Sequence, residues 1–566
     1  MEKSNSARTG ILIGIGAAVA AAVIGGIVVT QNLGKPEYQI TEEEAQTRLT
    51  KLLHNVRVNH VPARKATVDF TANDLANTLP DIEEYPLTIT GNGDVNIEIF
   101  ASPEKAGSGT DGWLNEAAKE FNRKNNKTAS GRSMSVSVRS ISSGMGSDYI
   151  VSGKYLPDAF TPSNAMWGTM AVANGAELST KNGTERLVGN VAGILLADDM
   201  IKTLTADYSS ITIETVTKAA QDGKVSMGYT YPYTSSTGLN FLVSSLYSFD
   251  QNDPLSAGAV GQFQKFQANV PFVCYTTQQM RSAMQSGSLN ACIMEYQTYQ
   301  NDSTLQKKYK FYPFGARHDN PLYEVGNIGT EKEEVLRTFT EFCLSDEQQK
   351  AASRYGFNQQ DTYKSAEPEF DAVTLINAQQ LWKQEKDSGK PVVAVFVADV
   401  SGSMNGDPLS RLKTSLLSAS QYINSNNYIG LVSYSTDVNV NLPIGKLDLD
   451  QRSCFTGAVQ DLTANGKTCT YDAVLQGIQM LQEAWKTIPD AKLMLFVLSD
   501  GETNGGAGLN EISSIVQAFR IPIYTISYNE NLNELSDLSQ INEAATINAN
   551  SEDVVYKLSA LFNAQM

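Results

Sequence analysis

Four continuous apolar runs constrain the C-terminal part of this 566-residue chain: Pro391–Val400 (PVVAVFVADV), Tyr428–Ser435 (YIGLVSYS), Lys492–Asp500 (KLMLFVLSD) and Ile521–Tyr528 (IPIYTISY). A strand without polar alternation is buried on both faces, and such strands belong to parallel sheets covered by helices on either side. Helical patterns stand between the runs at LSRLKTSLLSASQYI, YDAVLQGIQMLQEAW and LNEISSIVQAF, and a last one follows at EDVVYKLSALF. Residues 391–566 therefore read as one doubly wound α/β domain, long enough to bury its own core.

The same alternation begins earlier. VNIEIF precedes WLNEAAKEFNRK, MSVSVRS precedes a Gly/Ser loop, and KVSMGYTY precedes LNFLVSSLYSF, so residues 94–358 form a second α/β section. A polar stretch with one helical pattern, AVTLINAQQLWKQEK, makes 359–390 a linker. Upstream, 32–93 mixes a Thr-capped helix (TEEEAQTRLTKLL) with a Pro-containing aperiodic segment and reads as a stalk or lead-in.

Before it lies GILIGIGAAVAAAVIGGIVVT, Gly10–Thr30, without a charge. As a helix it covers about 31 Å, the thickness of a bilayer's hydrocarbon core. It is long for a signal peptide and ends in Val-Val-Thr-Gln-Asn, a poor cleavage site, so 10–31 reads as an uncleaved anchor after a cytoplasmic tail of 1–9. Lys3 and Arg8 precede it and Glu42, Glu43 and Glu44 follow, which places the C-terminal region outside the plasma membrane of a single-pass protein.

Composition excludes several classes. With 44 Lys and Arg against 61 Asp and Glu the chain carries −17, a poor surface for nucleic acid. Three His and five Cys, none at zinc-ligand spacing, exclude a zinc finger, a zincin helix and a Cys-rich scaffold. No nucleophile–base pairing and no P-loop stand out, so the expected activity is binding and not catalysis.

The end of the first apolar run carries DVSGSM, Asp399–Met404. GKTCTYDAV places Thr468 just before a helix, and LSDGE places Asp500 at the end of another buried strand. Ligand sites in open α/β sheets lie beyond the carboxyl ends of the strands, so the three loops can face one crevice. Asp399, Ser401, Ser403, Thr468 and Asp500 make an all-oxygen donor set, suited to Mg²⁺ or Mn²⁺ and not to zinc. A cation held mainly by neutral hydroxyls keeps much of its charge and can take a partner's carboxylate.

These motifs resemble the metal-ion-dependent adhesion site of von Willebrand factor type A domains, over about Pro391 to Met566. The resemblance implies a Rossmann-like fold, direct coordination by Ser401, Ser403 and Thr468, and Asp399 and Asp500 bound directly or through water. Where the family has Gly-Gly-Thr this chain has Gly-Lys-Thr, which puts Lys467 beside the site.

The middle section is similar to bacterial extracytoplasmic solute-binding proteins, on FASPEK, SISSGMGSDYI, LPDAFTPSN, GYTYPYTSSTG, NACIMEYQ and FCLSDEQQKAASRYGFN. That resemblance implies a two-lobed periplasmic-binding-protein-like domain closing on a small solute or anion, with Ser102, Ser143, Ser163, Asn164, Ser235, Ser236 and Tyr296 lining the cleft. Outside the cytoplasm Cys454 and Cys469 could form a disulfide around the metal loop, and Cys274 and Cys292 a second, leaving Cys343 over. Together these features describe a bacterial cell-surface binding protein that engages an acidic residue of a protein partner through its metal. The alternative is a membrane-tethered solute receptor of a transporter.

Overall fold

The computed structural model describes residues 40–69, 75–208, 210–270, 273–274, 280, 289–501, 503–528, 533–541, 546–548 and 554–566. The anchor expected at 10–31 lies outside them. Among the described residues no helix is long and apolar enough to cross a membrane.

The middle section has two lobes, each with its own sheet. In the first, six strands lie in the order β2 (Leu87–Ile89), β4 (Met134–Ser140), β3 (Val95–Ala101), β5 (Ala159–Thr161), β12 (Leu322–Val325) and β6 (Leu178–Thr184). β3, β4 and β5 run parallel, as the alternation of strands and helices requires. The second sheet has the order β11 (Tyr309–His318), β7 (Asn190–Ala197), β10 (Ala291–Glu295), β8 (Met227–Thr230) and β9 (Val273–Cys274). Two crossings, between β6 and β7 and between β11 and β12, join the lobes side by side, where Leu187 N donates to Asp319 O at 3.1 Å.

The last section is a seven-stranded sheet, in the order β1 (Val58–His60), β15 (Val438–Lys446), β14 (Tyr428–Tyr434), β13 (Val392–Asp399), β16 (Lys492–Ser499), β17 (Ile523–Ser527) and β18 (Thr546–Asn548). Every residue of β13 is buried, because helices cover both faces. Val393, Val395 and Val397 pack into one core and Val392, Ala394, Phe396 and Ala398 into the other. The four apolar runs thus become β13, β14, β16 and β17. The sheet also has an antiparallel strand, β15, in which Val438, Val440 and Leu442 face inward.

Two expected connectors are structural parts of the domains. Residues 32–93 are not a detached stalk where they are described. Thr41 caps the helix Glu42–Leu53, which buries Ala45 and Leu49 in the core beneath Val393, Val395 and Val397. β1 then extends the sheet edge, parallel to β15, with Asn59 Nδ2 donating to Asn439 Oδ1 at 3.1 Å. β1 is too short to show a period, and β15 supplies its pairing. Further on, Leu79, Ile82 and β2 join the first lobe.

Nor is 359–390 a free linker. The helix Ala372–Glu385 buries Leu375, Ala378 and Trp382 against the middle domain, where it meets helices of both lobes, with Trp382 Nε1 donating to Tyr229 OH at 2.6 Å. It also meets the last domain: Lys383 Nζ donates to Asn563 O at 3.0 Å, and Asn424 Nδ2 to Lys383 O at 3.0 Å.

The expected disulfides do not form, and all five cysteines are free. Cys274 on β9 and Cys292 on β10 flank β8, so two strand spacings of about 4.8 Å separate them, beyond the reach of an S–S bridge. Cys454 sits on the helix Leu449–Gln460 against one face of the sheet, while Cys469 is buried at the start of the helix Thr470–Thr487 on the other.

Two outcomes test this arrangement. Leu49→Ala is expected to lower the unfolding free energy of the last domain by about 2–5 kcal/mol, read by denaturant melts, whereas a detached stalk would leave it unchanged. In the native protein, thiol alkylation followed by mass spectrometry should label the half-exposed Cys454 first, with no prior reduction. The buried Cys274, whose thiol is pushed up to about 12 by burial, should react only after unfolding.

Candidate functional site

β13 is the central strand of its sheet, with β14 on one side and β16 on the other. The chain leaves it toward one neighbour and reaches the other later, so a crevice opens beyond its carboxyl end. Three loops meet there. Asn465 N donates to Val400 O at 2.8 Å and Gly402 N to Gly466 O at 3.1 Å, which ties the loop carrying Thr468 to the loop carrying Ser401.

Asp399 is fully buried, more deeply than a strand end suggests. Its Oδ1 accepts from Ser401 N at 2.8 Å, and its Oδ2 accepts from Ser499 Oγ at 2.5 Å and Tyr434 OH at 3.3 Å. Burial pushes its carboxyl up and the charge of Asp500 adds to that, while the hydrogen bonds from Ser499 and Ser401 oppose it. A buried carboxylate facing a second one is the electrostatic situation that a divalent cation relieves.

The hydroxyls complete the donor set. Ser401 Oγ and Ser403 Oγ lie 3.0 Å apart, and Ser403 Oγ donates to Asp500 Oδ1 at 2.9 Å. Oxygens around an octahedral Mg²⁺ at about 2.0–2.1 Å stand about 2.9 Å from one another along each edge, so these three side chains fit the ion. Thr468 is buried but makes no hydrogen bond to them; it is held by Asn504, whose Oδ1 accepts from Thr468 N at 2.9 Å. Ser499, Tyr434 and Asn504 are the supports that sequence reading missed. Ser499 lay inside LSDGE and Tyr434 inside the apolar run YIGLVSYS, while Asn504 lay outside the quoted segments. Lys467 is exposed beside Thr468. Among the described residues no group of three His, Cys, Asp or Glu could hold a metal, so a cation here depends on hydroxyls.

In the middle section five of the seven expected residues come together. Ser102 follows β3, Ser143 follows β4, and Ser163 and Asn164 follow β5, all at carboxyl ends of parallel strands. Ser163 N donates to Ser143 Oγ at 3.1 Å, and Ser236 Oγ, from the second lobe, donates to Ser143 Oγ at 3.0 Å. Asn164 Nδ2 lies 3.3 Å from His318 Nε2.

The other two stand apart. Ser235 caps the helix Ser236–Phe249, donating nothing to the cluster and accepting from Gly238 N at 3.2 Å. Tyr296 packs edge-on against Phe311 and bonds Gln300, because the chain turns into a helix after β10 and points its neighbours Glu295 and Gln297 inward instead. Sequence reading missed the charged members. Glu104 Oε1 accepts from Ser163 Oγ at 2.8 Å and pairs with Lys105 Nζ at 3.3 Å, and Glu295 Oε1 lies 3.0 Å from His318 Nδ1. Glu104 and Lys105 were legible in FASPEK, and Glu295 as the acid that ends an apolar strand.

Comparison with known proteins fits both modules. A von Willebrand factor type A model matches residues 394–563, and a bacterial extracellular solute-binding protein model matches 106–358. The inter-alpha-trypsin inhibitor heavy chain H3 of Bos taurus is 32% identical over 159 residues, 26% of this chain and 18% of that protein. Its Homo sapiens counterpart is 30% identical over the same length, so the chain spans under a fifth of these relatives. Among solved structures, the sulfate-binding protein SubI from Mycobacterium tuberculosis H37Rv is similar at 15% identity, covering 51% of this chain and 91% of that one, with a TM-score of 0.35. A von Willebrand factor type A structure from Catenulispora acidiphila is similar at 19% identity, covering 31% of this chain and 41% of that one, with a TM-score of 0.26. The first family implies protein interaction, commonly with a metal ion, and the second small-molecule binding. The chain carries a bacterial extracellular solute-binding domain followed by a von Willebrand factor type A domain.

Proposed function

We propose that this protein is a membrane-anchored binding protein of the bacterial cell surface that engages an acidic residue of a protein partner through Mg²⁺ or Mn²⁺. Ser401, Ser403 and Thr468 would hold the ion, with Asp399 and Asp500 supplying charge directly or through water. A divalent ion bound there supplies an open coordination position for a carboxylate. The observation that carries the reading is the spacing of Ser401 Oγ, Ser403 Oγ and Asp500 Oδ1, at 3.0 and 2.9 Å.

The chain's own groups do the positioning. Ser499 and Tyr434 orient Asp399 from behind, and Asn504 steadies Thr468. Exposed Ser403 and Lys467 form the face that a partner meets, and Lys467 adds attraction for an acid at the rim. The work done is binding and not catalysis. A second reading, a tethered solute receptor, is supported by the buried polar cluster between the lobes of the middle domain.

Asp399→Asn keeps the shape of the side chain and one accepting oxygen, replaces the other by a donating amide, and removes the charge. Calorimetric titration with Mg²⁺ and Mn²⁺ should show at least about a ten-fold loss of affinity, and partner capture should fall to the level seen in EDTA. Thr468→Ala should act in the same direction more weakly, since water can replace a neutral ligand. Equal ion affinity in wild type and Asp399→Asn would remove the chemical basis of the adhesion reading.

The location is tested separately. Protease added to sealed cells or spheroplasts should degrade the region from Val95 to Met566. Protection of a C-terminal epitope until lysis would place these domains in the cytoplasm.

A further inference from the structure

The cleft of the middle domain contains a feature that neither family resemblance calls for. Lys105 is fully buried, and its ammonium contacts Ser102 Oγ, Asn320 Oδ1 at 2.9 Å and Glu104 Oε1 at 3.3 Å. The same Glu104 oxygen accepts from Ser102 Oγ and from Ser163 Oγ. Ser102 follows β3 and Ser163 follows β5, so one carboxylate oxygen gathers two hydroxyls and an ammonium where ligands of open α/β sheets bind. The short turn Pro103–Ala106 bends the side chain back over its own strand end. Glu104 keeps 12% of its side chain exposed while Lys105 keeps none.

Around this oxygen the lobes are already joined. Ser236 Oγ donates to Ser143 Oγ, Gly144 N donates to Thr234 O at 3.1 Å, and Gln297 Nε2 donates to Asp111 Oδ1 at 3.1 Å. A second observation lies at the same strand ends. Ser142 Oγ, Thr161 Oγ1 and Asn164 Oδ1 are buried without a hydrogen-bond partner. A buried polar atom left unpaired is destabilising, so the cluster has more capacity for polar contacts than one glutamate oxygen uses.

We propose that Glu104 is a built-in occupant of the cleft, its carboxylate standing in for a small external oxyanion, organic carboxylate or inorganic, that enters only by displacing it. Electrostatics agree with an ionised Glu104. Burial opposes its charge, but Lys105 and the Ser102 and Ser163 hydroxyls outweigh that and hold the carboxyl below its usual range. Burial already pushes the Lys105 ammonium toward its neutral form and Glu104 is the chief group opposing that, so removing Glu104 leaves a position where an added anion would again favour the charged lysine. The inference is independent of the metal site.

The test uses the full chain with sodium acetate and sodium sulfate as probes, sodium chloride at matched ionic strength as the control, and two readouts. One is the melting temperature; the other is tryptophan fluorescence, since Trp167 Nε1 donates to Ser236 Oγ in the cleft. Wild type should give no saturable response. Glu104→Ala should give one with acetate, sulfate or both, binding about ten-fold or more tighter than wild type and melting higher in the probe than in chloride. Glu104→Ser carries the test if the alanine variant fails to fold. Saturable binding by wild type as tight as by the variants, or the lack of a response in both variants, overturns the proposal.

Discussion

The crevice beyond β13 depends on the accommodation of one buried charge, the carboxylate of Asp399. It lies at the end of a strand whose every residue is buried, opposite the second carboxylate of Asp500. Ser499, Tyr434 and the Ser401 amide direct hydrogen bonds at it, which fixes its orientation and offsets part of the cost of burial. Ser401 and Ser403 then project beside Asp500 from a loop whose backbone is tied to the Thr468 loop. A rigid central strand, packed in two cores, is what holds these oxygens at coordination spacing.

The middle domain solves a related problem differently. Its buried ammonium, Lys105, has a carboxylate of the same chain beside it, and a second acid, Glu295, lies deeper against His318. Burial and the nearby Glu104 push the Glu295 carboxyl up, against the pull of His318 and Lys105. Two acids near one lysine thus divide the work, with Glu104 carrying the charge that Lys105 needs.

The two modules are also built into one another. The helix Glu42–Leu53 and β1 complete the last domain from its N-terminal side, and the chain then passes to the first lobe of the middle domain. The helix Ala372–Glu385 packs on both lobes of the middle domain yet bonds Asn563 and Asn424 of the last domain. Segments that read as connectors supply core and edge on both sides.

The sequence alone determined the elements whose signal is local. Val392–Asp399 and its three apolar companions are strands because nothing polar interrupts them, and DVSGSM, GKT and SDG mark the crevice because they place oxygen donors at two strand ends and in the loop before a helix. Ser102, Ser143, Ser163, Asn164 and Ser236 were legible as loop hydroxyls for the same reason. Only the tertiary structure decided what depends on distant partners. β1 is a strand because β15 offers it an edge, Asn504 matters because Thr468 folds against it, and Tyr296 leaves the cleft because Phe311 packs on it. Cys274 and Cys292 stay apart because β8 lies between them. Glu104 and Lys105 are adjacent in sequence, but only folding buries the lysine, and burial makes its neighbour's charge indispensable.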